Sequence, residues 1–289
     1  MRTLREVIKE LDKEGKAVGH FNFSDSNQLK ALAMASKASG LPVLAGLSEG
    51  ERNYFPIRHA RALVDRYNAE GIEMYLNADH TYSYEKARAA IDDGVDSIVV
   101  DGAQLPFEKN VELLKQVVAY ARQKDFAGIG KRVIVEGELG YIGTSSAVMD
   151  TLPAGAAVTE EMMTKPDELQ KLVAESGIEL AAPAVGNVHG IVKSGQPKLS
   201  ISRIAELAKT AGVPLVLHGG SGSSDLEFRD AVRAGVRIIH INTDLRLLYR
   251  DSLRESLNTA ETTPYKFLTP AVEAMQRFLV QKMKLFHLS

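Results

Sequence analysis

The chain has 289 residues, of which 45% are hydrophobic and 25% are charged, and this balance excludes a largely disordered protein. Its formal net charge of −2 leaves no excess of Lys or Arg for a phosphate polymer, so we expect no nucleic-acid partner. Cysteine is absent, which excludes disulfides and thiolate metal sites and favours a location in the reducing cytoplasm.

The chain begins with MRTLREVIKELDKEG, in which charged and apolar residues alternate at helical spacing. A signal peptide would need an unbroken apolar segment, so this stretch predicts a first helix. The longer apolar runs further along, such as residues 180–185, fall far short of the roughly 20 residues that cross a bilayer. We therefore expect no membrane association.

Short apolar runs rich in Val, Ile and Leu then recur along the chain, and each ends in polar or Gly residues. They predict eight strands, over residues 17–23, 42–48, 72–79, 97–102, 132–139, 180–186, 214–220 and 237–243. Helical periodicity between the strands predicts helices over residues 27–38, 84–92, 111–122, 167–175, 201–209 and 226–233. The tail carries Pro264 and Pro270 before a helical stretch at residues 271–286, which we expect to pack against the rest of the chain or a second subunit.

Strands that are apolar throughout need cover on both faces, which alternating strands and helices provide. Eight such units close a barrel. A doubly wound sheet would usually carry a Gly-rich dinucleotide loop after its first strand, where this chain has the sequence HFNF. No Pro/Gly/Ser-rich linker divides the sequence. We predict the α/β class and a (β/α)8 TIM barrel, in a single domain over residues 1–289 with a C-terminal helical extension.

Three of the seven His residues fall at the carboxyl ends of different predicted strands, where barrels of this kind place their active sites. They are His80, His189 and His218. Three imidazoles that converge from separate strands suit Zn²⁺ with one position open for substrate. A single buried His is more often a hydrogen-bonded core residue than a ligand, but the trio on one face favours a metal site.

Carboxylates accompany these His residues. Asp101 and Glu138, at the ends of the fourth and fifth predicted strands, are candidates to orient the ligand rings or to hold metal themselves; a buried polar network is the alternative. Asp79 directly precedes His80 and is a candidate acid/base residue. Its alternative role is a helix N-cap, which Ser83 could equally fill.

A Gly-rich turn, HGGSG, follows the seventh predicted strand and contains Gly219 and Ser221. Its backbone amides can approach an anion closely, and loops at this place in barrels often bind phosphate. Gly190 and Lys193 follow the sixth strand, and Lys193 would add positive charge. Such a turn is often only a turn, but beside three His residues it predicts a metal next to a phosphorylated substrate.

Four segments together resemble one family: NADHTYSYEKARAAIDDGVDSIVVDGAQLPFEKN, VEGELGYIG, APAVGNVHGIVKSGQPKL and VPLVLHGGSG. Over nearly its whole length the chain resembles the class II, zinc-dependent fructose-bisphosphate and tagatose-bisphosphate aldolases. The resemblance implies a lyase of carbohydrate metabolism and glycolysis. Its reaction would be the reversible cleavage of a ketose phosphate, most simply fructose 1,6-bisphosphate, into dihydroxyacetone phosphate and glyceraldehyde 3-phosphate. It also implies a homodimer or homotetramer.

The resemblance also implies roles for individual residues. His80, His189 and His218 would bind the catalytic Zn²⁺, Asp79 would exchange a proton with the C4 hydroxyl, and Asp101 and Glu138 would serve a second or resting metal position. Further residues would contact the substrate or its phosphate: Gly190, Lys193, Gly219 and Ser221 around the phosphate, Asn22 and Ser48 at the ends of the first two strands, and His240, Asn242 and Asp244 at the eighth strand. A monovalent cation near the phosphate is also implied.

Three features depart from the family pattern. Aligned through Asn242 and Asp244, the eighth strand has His240 where the family usually has an Asn that contacts the substrate. Residues 143–147 lack the acidic residue that the family often carries in a mobile loop. Tyr265 stands where the family commonly has an Arg that a neighbouring subunit contributes to the distal phosphate, and Lys266 or Arg250 could substitute for it. These departures place the differences at proton transfer and at the distal end of the substrate.

Three alternatives follow from the same residues. The first is an aldolase for tagatose 1,6-bisphosphate or another ketose phosphate, although Asn242 slightly favours fructose. The second is a zinc hydrolase, which would ordinarily need more metal-bridging carboxylates. The third is an inactive phosphosugar-binding barrel, favoured by His240 and the missing loop acid but opposed by the intact His trio and Asp79.

Overall fold

A computed structural model describes residues 1–124, 132–143 and 146–288. Along this part of the chain the strands are β1 (Val18–Asn22), β2 (Val43–Leu47), β3 (Met74–Thr81), β4 (Ser97–Val100), β5 (Ile134–Leu139), β6 (Val148–Met149), β7 (Leu180–Pro183), β8 (Ile191–Val192), β9 (Leu215–Leu217) and β10 (Val236–Ile241). The helices are α1 (Leu4–Glu14), α2 (Ser26–Ser39), α3 (Glu49–Tyr54), α4 (Ile57–Ala69), α5 (Tyr84–Asp92), α6 (Phe107–Gln123), α7 (Pro166–Ser176), α8 (Ile201–Thr210), α9 (Asp225–Ala234), α10 (Thr243–Leu257) and α11 (Pro264–His287).

Eight of these described strands close into a barrel, in the order β1-β10-β9-β7-β5-β4-β3-β2, and every pairing is parallel. The two shortest strands, β6 and β8, pair with each other outside the barrel. The predicted α/β class and TIM barrel are therefore confirmed. Each of the eight strands predicted from the sequence corresponds to one barrel strand.

The predicted boundaries differ from the observed ones mainly at the carboxyl ends of the strands. The strand predicted over residues 180–186 ends at Pro183, and the one over residues 214–220 ends at Leu217. The chain turns away there, with Gly186 and Gly219 at φ values of 92° and 59° that a continuing strand cannot adopt. These apolar and Gly residues belong to the loops at the mouth of the barrel.

The sequence pattern predicted no helix for α3, α4 or α10. Helix α3 is only 6 residues long and α10 starts almost immediately after a strand, but neither reason applies to the 13-residue helix α4. The tail helix is longer than predicted. It starts at Pro264, whose missing N–H is not needed at a helix start, and it continues through Pro270. Among the predicted alternatives, α11 packs against the barrel's own helices α2, α9 and α10.

The main apolar core lies between the strands and the surrounding helices, and it includes Phe21, Leu76 and Phe228. A smaller apolar cluster around α1 closes the end of the barrel at which the strands begin. Polar side chains occupy the opposite end, at which the strands finish. Within the described ranges, none of the helices is both long and apolar enough to span a membrane.

Candidate active site

A cavity opens at the carboxyl ends of the barrel strands. It is lined by Asn22, Asp79, His80, Ser146, His189, Gly190, Gly219, Ser221, His240, Asn242 and Thr243. Most of these are site residues predicted from the sequence. His218 lies next to the cavity and is 1% exposed. Side chains from distant parts of the chain meet here because parallel strands all end at the same rim of the barrel.

The imidazoles of His80, His189 and His218 converge in this cavity. The ring centroids are 4.7 Å apart for His80 and His189, 5.0 Å for His80 and His218, and 6.0 Å for His189 and His218. One nitrogen from each ring lies within 4.8 Å of the others. The three rings therefore face one region, as ligands of a single ion must.

Two of these rings are oriented by carboxylates. The Nδ1 atom of His80 lies 2.9 Å from Asp101 Oδ2, and that of His218 lies 3.0 Å from Glu138 Oε2. Glu138 Oε2 is also 3.6 Å from Nδ1 of His80. A carboxylate on one ring nitrogen commonly orients a metal-binding His, and His80 has this arrangement. His218 has a carboxylate on each nitrogen, because Glu136 Oε1 lies 2.6 Å from its Nε2, so a metal at His218 would replace one of these two contacts. His80, Asp101 and Glu138 also form a second group that could itself hold an ion.

The third ring, that of His189, is positioned by the segment that follows β5. Its Nδ1 lies 2.5 Å from the carbonyl oxygen of Gly143, and its backbone N–H donates to the carbonyl of Ile142 at 2.9 Å. The pairing of β6 with β8 continues this contact, because β8 begins two residues after His189. The loop after β5 thus holds one candidate ligand in place.

Asp79 and His80 both face the cavity although they are neighbours in a strand. His80 has a φ of 34°, and the register of β3 against β4 shifts between Ala78 and Thr81. A regular strand would send the two side chains to opposite faces, and this irregularity brings both to the mouth. The N-cap of α5 is Ser83, so Asp79 does not have the alternative capping role.

The charges around His80 and His189 have opposite effects on the two rings. Burial alone would lower the pKa of His80, but Asp79, Asp101 and Glu138 outweigh it and raise that pKa to about 9. Burial and the neighbouring rings of His80 and His218 lower the pKa of His189 to about 3. His189 is therefore a neutral imidazole, which is the form that binds a metal.

Asp79 is buried yet ionised. Burial would raise its pKa, but the imidazoles of His80, His240 and His20 hold that pKa well below the usual range. Its Oδ2 atom accepts a hydrogen bond from Asn22 at 2.9 Å. The carboxylate is therefore in the unprotonated form that a general base requires.

Sequence reasoning assigned no site role to His20, Asn77, Glu51 or Glu136. The ring of His20 stacks on that of His240, Glu51 accepts a hydrogen bond from Asn22 at 2.9 Å, and Glu136 Oε1 lies 2.6 Å from Nε2 of His218. The alternation of strand side chains was a usable signal for two of them. His20 and Glu136 are two residues away from the predicted site residues Asn22 and Glu138, and therefore share their faces.

At the predicted phosphate-binding side of the cavity, segments of backbone pack closely against one another. A Cβ atom at Gly219 would lie 2.3 Å from the carbonyl oxygen of Val188, so only Gly fits there. Gly190 and Ser221 line the cavity beside it. Asn242 is the N-cap residue of α10, and its Oδ1 is buried without a hydrogen bond in the described structure. The start of the 15-residue helix α10 adds backbone N–H groups that the helix itself does not use and a positive dipole end.

Three predicted substrate residues do not line the cavity. Lys193 is 63% exposed, and its ammonium lies 2.8 Å from Asp150. Ser48 caps α3, where its hydroxyl accepts from the backbone of Glu51. The Oδ2 atom of Asp244 accepts a hydrogen bond from the backbone N–H of Gly222 at 3.4 Å. The sequence pattern placed these residues at the correct end of the barrel, but their side chains are used by local structure.

The predicted candidates for the distal phosphate contact acidic side chains of their own chain. Arg250 lies 2.8 Å from Asp251, and Lys266 lies 3.2 Å from Glu261. Tyr265 is 71% exposed. Thr144 and Ser145, in the loop that departs from the family pattern, lie outside the described residues.

A model of the family described as "Fructose-bisphosphate aldolase class-II" matches residues 2–289. The chain belongs to the class II fructose-bisphosphate aldolase family. It is 33% identical to fructose-bisphosphate aldolases of Staphylococcus epidermidis and Staphylococcus aureus, over 98% of this chain and 96% of each relative. A fructose-bisphosphate aldolase of Geobacillus stearothermophilus is 31% identical over the same shares.

Solved structures support the fold of this class II aldolase family member. The YdjI aldolase from Escherichia coli K12 matches with a TM-score of 0.83 and 24% identity, over 98% of this chain and 96% of that one. A putative fructose-1,6-biphosphate aldolase from Coccidioides immitis matches with a TM-score of 0.84 and 23% identity, over 98% and 95%. The match to the family model and the identity to the Staphylococcus aldolases confirm the predicted family and its class of enzyme, a lyase.

Class II aldolases depend on a metal ion, and the donor set of this family member fits one. His80, His189 and His218 supply three nitrogens, and Asp101 and Glu138 supply neighbouring carboxylates. Neutral nitrogen ligands with carboxylates behind them are typical of catalytic Zn²⁺ sites. Oxygen-preferring ions such as Mg²⁺ would be a poorer match to a trio of imidazoles.

Proposed function

We propose that this chain catalyses the zinc-dependent, reversible aldol cleavage of a ketose bisphosphate, with fructose 1,6-bisphosphate as the first candidate. The observation that carries the proposal is the convergence of three His rings beside one ionised, buried carboxylate, Asp79. The products would be dihydroxyacetone phosphate and glyceraldehyde 3-phosphate.

In this proposal His80, His189 and His218 hold the Zn²⁺ ion. When bound, the ion supplies Lewis-acid polarisation of the ketone carbonyl. Asp101 and Glu138 keep the rings of His80 and His218 oriented, and they offer a second divalent position. The His ligands come from three different strand ends, so the barrel sets their spacing in advance of metal binding.

Asp79 would act on the C4 hydroxyl of the substrate. It takes the hydroxyl proton, C4 becomes the carbonyl carbon of the leaving aldehyde, and the electron pair of the C3–C4 bond stays with C3. In the condensation direction Asp79 returns the proton. The hydrogen bond from Asn22 to Oδ2 keeps the carboxylate in place during both directions.

The phosphate next to the ketone would bind at the opposite side of the cavity. Gly190, Gly219 and Ser221 provide close backbone approach, and the N-terminus of α10 at Asn242 provides N–H groups. The structure supports no direct phosphate contact by Lys193, Ser48 or Asp244 without movement of their side chains. A monovalent cation near the phosphate, a homodimer or homotetramer, and a cytoplasmic location stay predictions.

A screen of ketose phosphates tests this function. Zinc-loaded protein should cleave fructose 1,6-bisphosphate, and a chelator should abolish the reaction until Zn²⁺ is restored. Faster cleavage of tagatose 1,6-bisphosphate would assign the other epimer as substrate. Absence of cleavage for every ketose phosphate, together with absence of proton exchange on dihydroxyacetone phosphate, would refute the aldolase proposal.

A further inference from the structure

Two His residues outside the candidate zinc trio form a stacked pair at the bottom of the cavity. His20 on β1 lies directly opposite His240 on β10 in the parallel pairing of these strands. Their ring centroids are 3.5 Å apart and their planes differ by 10°. His240 lines the cavity, whereas His20 is 0% exposed and lies behind it. The ring of His240 therefore lies between the cavity and the ring of His20.

The orientation of His20 is fixed by its own neighbours. The side-chain amide of Asn77 donates to the hydroxyl of Ser97 at 2.8 Å, so its oxygen is left to accept from Nε2 of His20 at 3.0 Å. A Cβ atom at Gly46 would lie 2.2 Å from Cε1 of His20. The ring thus fits only because position 46 is Gly, and it has little room to tilt. It forms a rigid support for His240.

His240 in turn faces the carboxylate of Asp79. Its Nδ1 atom is 3.5 Å from Oδ1 of Asp79, while Nε2 of His80 is 3.9 Å from the same oxygen. Oδ1 is buried and has no hydrogen bond within the described residues, whereas Oδ2 accepts from Asn22. Asn22 holds one oxygen, and of the two imidazoles beside the other oxygen His240 is the nearer.

A metal between these residues is a weaker interpretation. His20, Asp79 and His240 have ligand atoms within 4.8 Å of one another. However, a metal lies near the plane of each imidazole that binds it, and two parallel planes 3.5 Å apart cannot both contain one ion. The stacked geometry supports a mechanical role.

We propose that His240, supported by His20, is a positioning residue that fixes Oδ1 of Asp79 for proton transfer with the C4 hydroxyl. This inference rests on the proposed aldolase function. It assigns His240 to the half of the reaction that makes or breaks the C3–C4 bond. The removal of a C3 proton from dihydroxyacetone phosphate does not use Asp79 in this scheme, and it should therefore not depend on His240.

Two assays on the zinc-loaded full chain test the assignment: cleavage of the ketose bisphosphate, and exchange of a C3 proton of dihydroxyacetone phosphate with solvent. The variant His240→Phe keeps a flat ring for the stack but removes Nδ1. We expect its kcat for cleavage to fall about 10- to 100-fold, the cost of a small misplacement of a catalytic group. Its KM, its proton exchange rate and its zinc content per chain should stay within about threefold of the parent.

Two further variants complete the test. His20→Ala removes the support while leaving His240 intact, and we expect the same selective loss of cleavage, about 3- to 10-fold. It also carries the test if His240→Phe does not fold. His59→Phe, at an exposed position on α4, is the matched control and should leave both assays unchanged.

Different results separate the two levels of the proposal. Equal losses of proton exchange and cleavage in His240→Phe would mean that His240 also acts in the removal of the C3 proton, and would overturn the inference. Unchanged cleavage, or loss of zinc from the variant, would overturn it as well. A parent protein that is loaded with zinc and catalyses neither reaction would instead overturn the aldolase function itself.

Discussion

At the scale of single residues, the site depends on how a buried carboxylate stays charged. Asp79 is 5% exposed, and burial opposes its ionisation. Three imidazoles from different strands surround it and reverse that effect by lowering its pKa. One candidate metal ligand, His80, therefore acts together with His20 and His240 to keep Asp79 in the unprotonated form that a general base requires.

Replacement of this carboxylate tests its role. Asp79→Asn keeps the shape of the side chain and a partner for Asn22, but an amide cannot accept the hydroxyl proton. We expect kcat for cleavage to fall about 10²- to 10⁴-fold, with zinc content per chain unchanged. Steady-state kinetics and elemental analysis measure the two quantities. Cleavage within tenfold of the parent would show that another group carries the proton.

The carboxylate behind His80 should affect metal binding more than folding. Asp101→Asn weakens the hydrogen bond that orients the ring, and we expect zinc affinity to fall about 10- to 100-fold. A titration against a competing chelator measures it. The control is Asp65→Asn, because Asp65 pairs with Arg61 on the outer surface of the barrel. Equal zinc affinities in the two variants would argue against an orienting role for Asp101.

Single site residues were predictable where they follow a strand, but their contacts were not. Residue type and strand position identified His80, His189, His218 and Asp79 from the sequence. The role of His20 depends on its register opposite His240, across 220 positions of sequence, which no local pattern contains. Lys193 was predicted to contact the phosphate because it follows the sixth predicted strand. Its ammonium instead pairs with Asp150, which lies next to it because β6 and β8 form the small outer sheet.

At the scale of elements, irregular segments position the site on a regular barrel. The register shift in β3 turns two adjacent side chains into the cavity, and the pairing of β6 with β8 holds the loop that contacts His189. Apolar periodicity predicts the strands well but gives no signal for a shift within one strand. The strands predicted from this periodicity also continue into loops, because the loop residues at the mouth of the barrel are apolar or Gly as well.

Helix starts are stabilised by capping boxes, and α9 offers a pH test. Glu227 accepts hydrogen bonds from the backbone and hydroxyl of Ser224, at 2.9 and 2.8 Å. Burial would raise the pKa of Glu227, but these bonds and that from the backbone of Leu199 lower it. A lowered pKa in the folded state means that the ionised Glu stabilises the fold above pH about 4.5 and that this contribution is lost on acidification.

Urea unfolding should therefore show a pH-dependent effect of Glu227→Gln. We expect a loss of about 1 kcal/mol in the free energy of unfolding at pH 6, and a smaller difference at pH 3.5 where the parent Glu is itself becoming protonated. Glu85→Gln is the control, since Glu85 lies in the first turn of α5 without a capping bond among the described residues. A difference that grows on acidification would contradict the assigned sign.

At the scale of the whole molecule, the barrel and its tail helix form one packed structure. Phe286 near the end of α11 is 0% exposed, its ring centroid is 5.2 Å from that of Phe228, and its carbonyl accepts from the backbone of Ala17. The tail thus ties the last helix to the first barrel strand. That residues 1–289 form a single domain stays a prediction.

Loss of this contact should destabilise the protein strongly. Phe286→Ala leaves a cavity between α11 and α9, and we expect a loss of about 3–5 kcal/mol in the free energy of unfolding. Leu288→Ala is the control, because Leu288 is 82% exposed and should change stability by less than about 0.5 kcal/mol. Equal effects of the two variants in denaturant unfolding would show that the tail does not pack as described.

The proposed reaction depends most on one ion shared by His80, His189 and His218. Anomalous diffraction from crystals of the zinc-loaded protein, recorded on both sides of the zinc absorption edge, tests this directly. We predict one strong peak about 2.0–2.1 Å from a nitrogen of each of the three rings. No peak at the trio, or zinc found only among His20, Asp79 and His240, would contradict the account.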